Sequence, residues 1–74
     1  MSQDSLFSNR LILAHNVKEL RLKSNIKREE LSLALGFDNS YISKLEKCKI
    51  NITIDKLTMI ANYFSIEIID LFKI

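Results

Sequence analysis

Apolar side chains recur along this chain three or four residues apart and seldom alternate in the two-residue rhythm of a strand. Leu13, Val17 and Leu20 stand at i, i+4 and i+7, with Leu11 and Ala14 beside them, which predicts a first helix over about 8–24 with Ser8 as its N-cap. Asn25 can close it, because Asn tolerates the left-handed conformation at a helix end. A second helix over about 28–35 would bury Leu31 and Leu35 and stop at Gly36. Glu29 and Glu30 in its first turn suit the positive end of the helix dipole, whereas Lys27 at its N-cap does not. A third helix over about 39–47 is expected to start from Asp38, and a fourth over about 54–63 from Thr53, with Leu57, Ile60, Ala61 and Phe64 turned inward. A fifth covers about 67–73, although 66–69 is rich enough in β-branched residues to form a short strand. With no Pro and one Gly, turn signals are scarce. The expectation is an all-α single domain over 1–74, with 1–7 as an N-terminal arm.

The third helix is unusual in what it turns outward. At about 100° per residue, Asn39, Ser40, Ser43, Lys44 and Lys47 share one face while Tyr41, Ile42 and Leu45 share the other. An ordinary solvated face would carry Lys and Glu. Short amides and hydroxyls beside a long cation are instead the groups that hydrogen-bond to base edges in a DNA major groove. The second and third helices are separated by Gly36-Phe37-Asp38, the short connection a helix-turn-helix needs, although a Gly turn also joins helices that merely pack.

Composition narrows the class. A chain of 74 residues allows one small core, and 47% apolar residues are too many for a disordered segment. The net charge of +2 says little, but its distribution says more. Residues 18–49 carry eight Lys and Arg against five acids, whereas 50–74 carry two against three, so the basic character sits around the helix pair. One Cys allows no internal disulfide and suits a reducing cytoplasm. Cys48 has no second Cys and no His at metal spacing, so no zinc site is expected; a redox-sensing thiol and a thiol without a role both stay open. No apolar run nears the ~20 residues of a membrane span, and 1–10 lacks the features of a secretory signal. His15 is expected to be exposed and idle. No Ser-His-Asp set, paired carboxylates or phosphate loop can be assembled, so no catalytic residue and no cofactor is expected and the chain reads as a non-enzyme.

Val17-Lys-Glu-Leu-Arg21, Ile26-Lys-Arg-Glu-Glu-Leu31, Gly36-Phe-Asp, Tyr41-Ile-Ser-Lys-Leu-Glu46 and Asn51-Ile-Thr-Ile-Asp-Lys-Leu57 together resemble the Cro and phage-repressor family of helix-turn-helix regulators. The five blocks occur in order over roughly residues 13–72. Within that family the chain looks closest to the small controller proteins of restriction–modification systems, in its size, in Tyr41-Ile-Ser and in the Asn-x-Thr opening of the fourth helix. The resemblance implies a compact five-helix bundle with a central helix-turn-helix, the lambda-repressor-like DNA-binding fold, in a cytoplasmic homodimer on a pseudo-palindromic duplex operator. It puts base contacts at Asn39, Ser40, Ser43 and Lys44, where the face argument also puts them. Phosphate contacts would come from Lys27, Arg28, Lys47, Lys49, Asn51 and the Tyr41 hydroxyl. For Tyr41 a purely core role stands beside this, for Asn39 the role of a helix-start residue beside Asp38, and for Lys44 a phosphate contact stands beside a guanine one. Arg21 and Glu46 occupy the positions of a partly buried ion pair that orients the recognition helix.

The chain departs from the family at Lys27, where Thr or Ser is usual, at Arg28, where Gln is commoner, at Cys48, where Gly usually ends the third helix, and at Ile50 and Ile52, which make the following loop unusually apolar. Tyr63, Ile66 and Ile69 are apolar at positions usually more polar, and are expected to form the dimer surface. Leu33, similarly apolar, is expected to be covered by Leu6 and Phe7. No small-molecule ligand is implied. A phage or plasmid repressor is the near alternative. A helical protein-interaction module of the antitoxin type, in which the helix-turn-helix is only structural, is the distant one.

Overall fold

Residues 3–23 contain neither Gly nor Pro, and the chain stays helical throughout them as α1, Gln3–Lys23. In the computed structural model, which describes the backbone of residues 3–74 and side chains from residue 8 onward, α1 therefore starts five residues ahead of the expected Ser8. Ser8 is inside the helix and caps nothing. The expectation of an N-terminal arm, and of Leu6 and Phe7 covering Leu33, falls on residues 1–2 and on side chains 3–7, which lie outside the described residues.

Helix α2 spans Arg28–Ala34, α3 Tyr41–Glu46, and α4 Ile54–Tyr63, followed by a 3-10 helix at Ile68–Phe72. Five helical elements are present, the fifth in the tighter 3-10 form, and the described residues include no strand. The short-strand alternative at 66–69 is not adopted, because Leu71 must be buried and a tight turn puts it there. The Glu67 N–H donates to the Asp70 carboxylate at 3.0 Å to open that turn.

Leu13, Val17, Leu31, Leu35, Ile42, Leu45, Leu57, Ile60, Ala61 and Leu71 form one core. Helix α1 is its spine: α3 packs on one part of it and the 3-10 helix on another, while α2 packs against α3 and α4 against the 3-10 helix. The Asn16 amide ties the chain's end to that spine, donating to the carbonyl oxygens of Leu71 at 2.7 Å and Lys73 at 2.9 Å.

All four α-helices end in the same way. Asn25, Gly36, Cys48 and Ser65 take φ of 55°, 76°, 60° and 57°, and the residue after each donates back to a carbonyl five positions earlier: Ile26 to Arg21, Phe37 to Ser32, Lys49 to Lys44, Ile66 to Ala61. These are Schellman caps, which Gly fills without strain and other residues fill at a cost. Only one of the four has Gly. The Asn25 expectation is met, and Cys48 holds the left-handed position although it carries a Cβ.

Candidate nucleic-acid interface

The helix-turn-helix is α2, the turn 35–40, and α3. Apolar side chains fix its inner side: Ile42 and Leu45 are buried against the core, and the Tyr41 ring packs on Phe37 with centroids 4.7 Å apart. Helix α3 begins two residues later than expected, and Asp38 is not its side-chain cap. The Asp38 carboxylate accepts the Ser40 hydroxyl at 2.8 Å instead of a backbone N–H. The cap comes from another helix. Buried Ser32, on α2, accepts the Ile42 N–H at 3.0 Å while donating to the Arg28 carbonyl at 2.9 Å. A helix N-terminus leaves N–H groups unpaired, and here the neighbouring helix supplies an acceptor inside the core. Nothing local in the sequence marks Ser32 for this role. Its position beside Leu31 and one turn before Leu35, on the stripe that goes inward, signals burial only.

Arg21 and Glu46 meet as a bidentate pair, Nε to Oε2 at 2.8 Å and Nη2 to Oε1 at 3.3 Å, with both side chains almost fully withdrawn from solvent. The remaining Arg21 nitrogen donates to the Ile26 carbonyl at 3.0 Å. One guanidinium thus ties α1, the loop before α2, and the end of α3. Arg28 approaches the same carboxylate at 3.8 Å but keeps about half its side chain exposed.

The outward face of α3 and its lead-in turn carries Asn39, Lys44 and Lys47 exposed, with Ser40 and Ser43 half-exposed. Asn39 and Ser43 line a cleft of about 420 Å³ whose other walls are Arg21, Lys27, Arg28 and Glu29, so four of the residues expected to contact DNA border one concavity between the two helices. Lys27 and Arg28 are exposed at its rim. Helix α2 starts there with half a capping box: the Lys27 N–H donates to the Glu30 carboxylate at 3.4 Å, and Lys27 offers no acceptor in return.

Lys49 and Asn51 are exposed in the loop before α4. The Asn51 side-chain oxygen accepts from the Arg10 guanidinium, a tie between α1 and this loop that the sequence did not suggest. Ile50 and Ile52, unusual for the family, pack on the core, and Thr53 caps α4 by accepting the Lys56 N–H at 3.2 Å, as expected.

Tyr41 is placed as its core role requires. Its hydroxyl is buried without a hydrogen-bond partner, and burial raises its pKa above the ordinary 10.0, so the structure does not present this oxygen to solvent. Of the residues expected at a dimer surface, Tyr63 and Ile69 are 44% and 67% exposed, whereas Ile66 is half-buried and packs on the core. Met59, one turn before Tyr63 on α4, is also exposed. Among the described residues no helix is long and apolar enough to cross a membrane.

A family model described as helix-turn-helix matches residues 17–71. Among solved structures, a hypothetical transcription factor, NHTF, from Neisseria is similar with a TM-score of 0.83 at 26% identity, over 88% of this chain and 75% of that one. The restriction–modification controller protein C.AhdI from Aeromonas hydrophila has a TM-score of 0.79 at 24% identity, over 89% of this chain and 96% of that one, a likeness of fold. No curated protein matches the sequence.

Proposed function

The chain belongs to the helix-turn-helix family, and we propose that it is a sequence-specific DNA-binding transcription regulator that acts as a homodimer on a twofold operator. One observation carries the reading. The face formed by the lead-in turn (Asn39, Ser40) and by α3 (Ser43, Lys44) meets solvent while the opposite face of the helix is buried, so amide, hydroxyl and ammonium groups project from a fixed support. Such groups pair with base edges: an amide bidentately with adenine, an ammonium with the guanine acceptors. Lys27 and Arg28 border the same cleft as Asn39 and Ser43, and with Lys47, Lys49 and Asn51 they serve as phosphate contacts that set the register.

In this reading the dimer surface takes in Tyr63, Ile66, Ile69 and Met59. A twofold pair would place its two α3 helices in successive major grooves, about 34 Å apart. The narrower role, control of restriction–modification genes, is supported by a fold shared with a protein of that name, and the genes beside this one test it.

The decisive experiment is enrichment of random duplexes on the purified protein. The expected product is a site with two related half-sites one helical turn apart. Lys44→Ala then weakens binding to that site by ~1–3 kcal/mol with less effect on scrambled duplex, and Arg28→Ala flattens the log-affinity against log-salt slope by about one unit. Two variants that bind like the parent would show that α3 is not the reader.

A further inference from the structure

Lys56, in the first turn of α4, sits on an aromatic platform. Its ammonium lies 4.6 Å from the ring centroid of Tyr41 and 5.4 Å from that of Phe37, and the two rings pack together at 56°. Three elements meet at this one charge: the turn of the helix-turn-helix through Phe37, the first residue of α3 through Tyr41, and α4 through Lys56 itself. The backbone of Lys56 is fixed by its N–H bond to the Thr53 hydroxyl at 3.2 Å.

The platform holds the charge without cancelling it. A ring face attracts a cation through its quadrupole but carries no net charge. Among the described residues no carboxylate pairs with Lys56: Glu46 is engaged by Arg21 and Arg28, and Asp70 by Lys73. Lys56 is only half-buried, so one side of its environment is ring and part of the side chain still meets solvent. An ammonium that is already ordered, partly desolvated and unneutralised loses little freedom on meeting an anionic oxygen, and the bond it forms there is charge-assisted.

We propose that Lys56 contacts a DNA backbone phosphate beside the half-site, with Phe37 and Tyr41 as the surface that orders it; this rests on the DNA-binding reading above. Tyr41 then serves the contact through its ring face, its hydroxyl being buried.

The test compares Lys56→Met, which keeps the packing over the rings and removes the charge, with Lys56→Arg, which keeps both. Each is titrated against the enriched duplex and a scrambled one over a range of salt concentrations. Lys56→Met is expected to flatten the log-affinity against log-salt slope by about one unit and to weaken both duplexes alike, roughly tenfold at low salt. Lys56→Arg is expected to keep the parental slope. A Lys56→Met slope equal to the parent's overturns the assignment, and so does a loss confined to the enriched duplex, which would make Lys56 a support for α3. The slope is unaffected by a constant inactive fraction of protein, so modest destabilisation does not obscure it. If Lys44→Ala fails on the enriched site while the Lys56→Met slope is unchanged, only this inference falls; a parent protein that binds no duplex removes the reading on which it rests.

Discussion

The Ser32 side-chain oxygen and the Ile42 backbone N–H, 3.0 Å apart, make helix α2 the cap of helix α3. The angle between the two halves of the helix-turn-helix is set by a hydrogen bond inside the core, where competing water is excluded. Ser32→Ala leaves the Ile42 N–H buried and unpaired. Its expected cost is ~1–3 kcal/mol in urea unfolding, accompanied by weaker operator binding. A variant as stable as the parent would mean that water or a shifted backbone satisfies the N–H.

Arg21 and Glu46 pose the same question with charges. Glu46→Ala leaves a guanidinium buried without its carboxylate, a loss of ~3–5 kcal/mol, which is a large part of the ~5–15 kcal/mol that holds a small domain folded. Replacing both, Arg21→Met with Glu46→Leu, removes the charges together and is expected to lose much less. If that double variant folds well but binds the enriched duplex poorly, the pair's work is to aim α3. Unchanged binding would reduce it to packing.

Much of this was legible in the sequence and some was not, for reasons that follow from distance along the chain. Asn25, Gly36 and Thr53 act on neighbours a few residues away, and each does what local chemistry suggested. The Arg21–Glu46 pair was legible only through family resemblance, since no local rule joins residues 25 apart. Ser32 to Ile42, Arg10 to Asn51 and Asn16 to the C-terminal carbonyls are tertiary bonds of the same kind without a familiar motif to flag them. Of the two roles open for Tyr41, the buried hydroxyl fits the core one, because its ring packs on Phe37 beneath Lys56, which the third helix viewed alone could not reveal.

Cys48 and Ser65 hold left-handed positions that cost a side-chain-bearing residue ~1–2 kcal/mol, partly offset in any Gly replacement by ~0.5–1 kcal/mol of extra unfolded-chain entropy. Cys48→Gly and Ser65→Gly are each expected to raise the unfolding free energy by up to ~1 kcal/mol. Gly36→Ala is the converse control: a Cβ there meets nothing within 4 Å, so its expected loss of up to ~1 kcal/mol reports backbone strain, less the unfolded-chain entropy that Ala removes, with no steric clash added. Calorimetry on the three variants checks the set, and a Cys48→Gly protein less stable than the parent would show that the thiol's packing outweighs the strain.

Asp70 gives the 3-10 helix a pH dependence. The Lys73 ammonium, 2.6 Å away, and then the Glu67 N–H hold its carboxyl below the ordinary 3.8. The folded value lies under the unfolded one, so the contribution is present above pH 3.8 and disappears as pH falls through the lower, folded value. The thermal midpoints of the parent and Asp70→Asn are therefore expected to differ at pH 6 and to converge only as the pH falls below 3.8 through the folded value. A gap that widens on acidification would contradict the assignment.

Helix α3 is six residues long, well under the ~12–15 at which an isolated helix begins to persist in water. The reading head has no independent existence: its shape is created by the spine behind it and the serine beside it. Damage at a distance, in α1 or under α2, should therefore silence the protein without retuning it, since molecules that have lost the spine present no surface while the remainder present the original one. Operator preference should survive in the weakened variants, and only the share of competent molecules should fall.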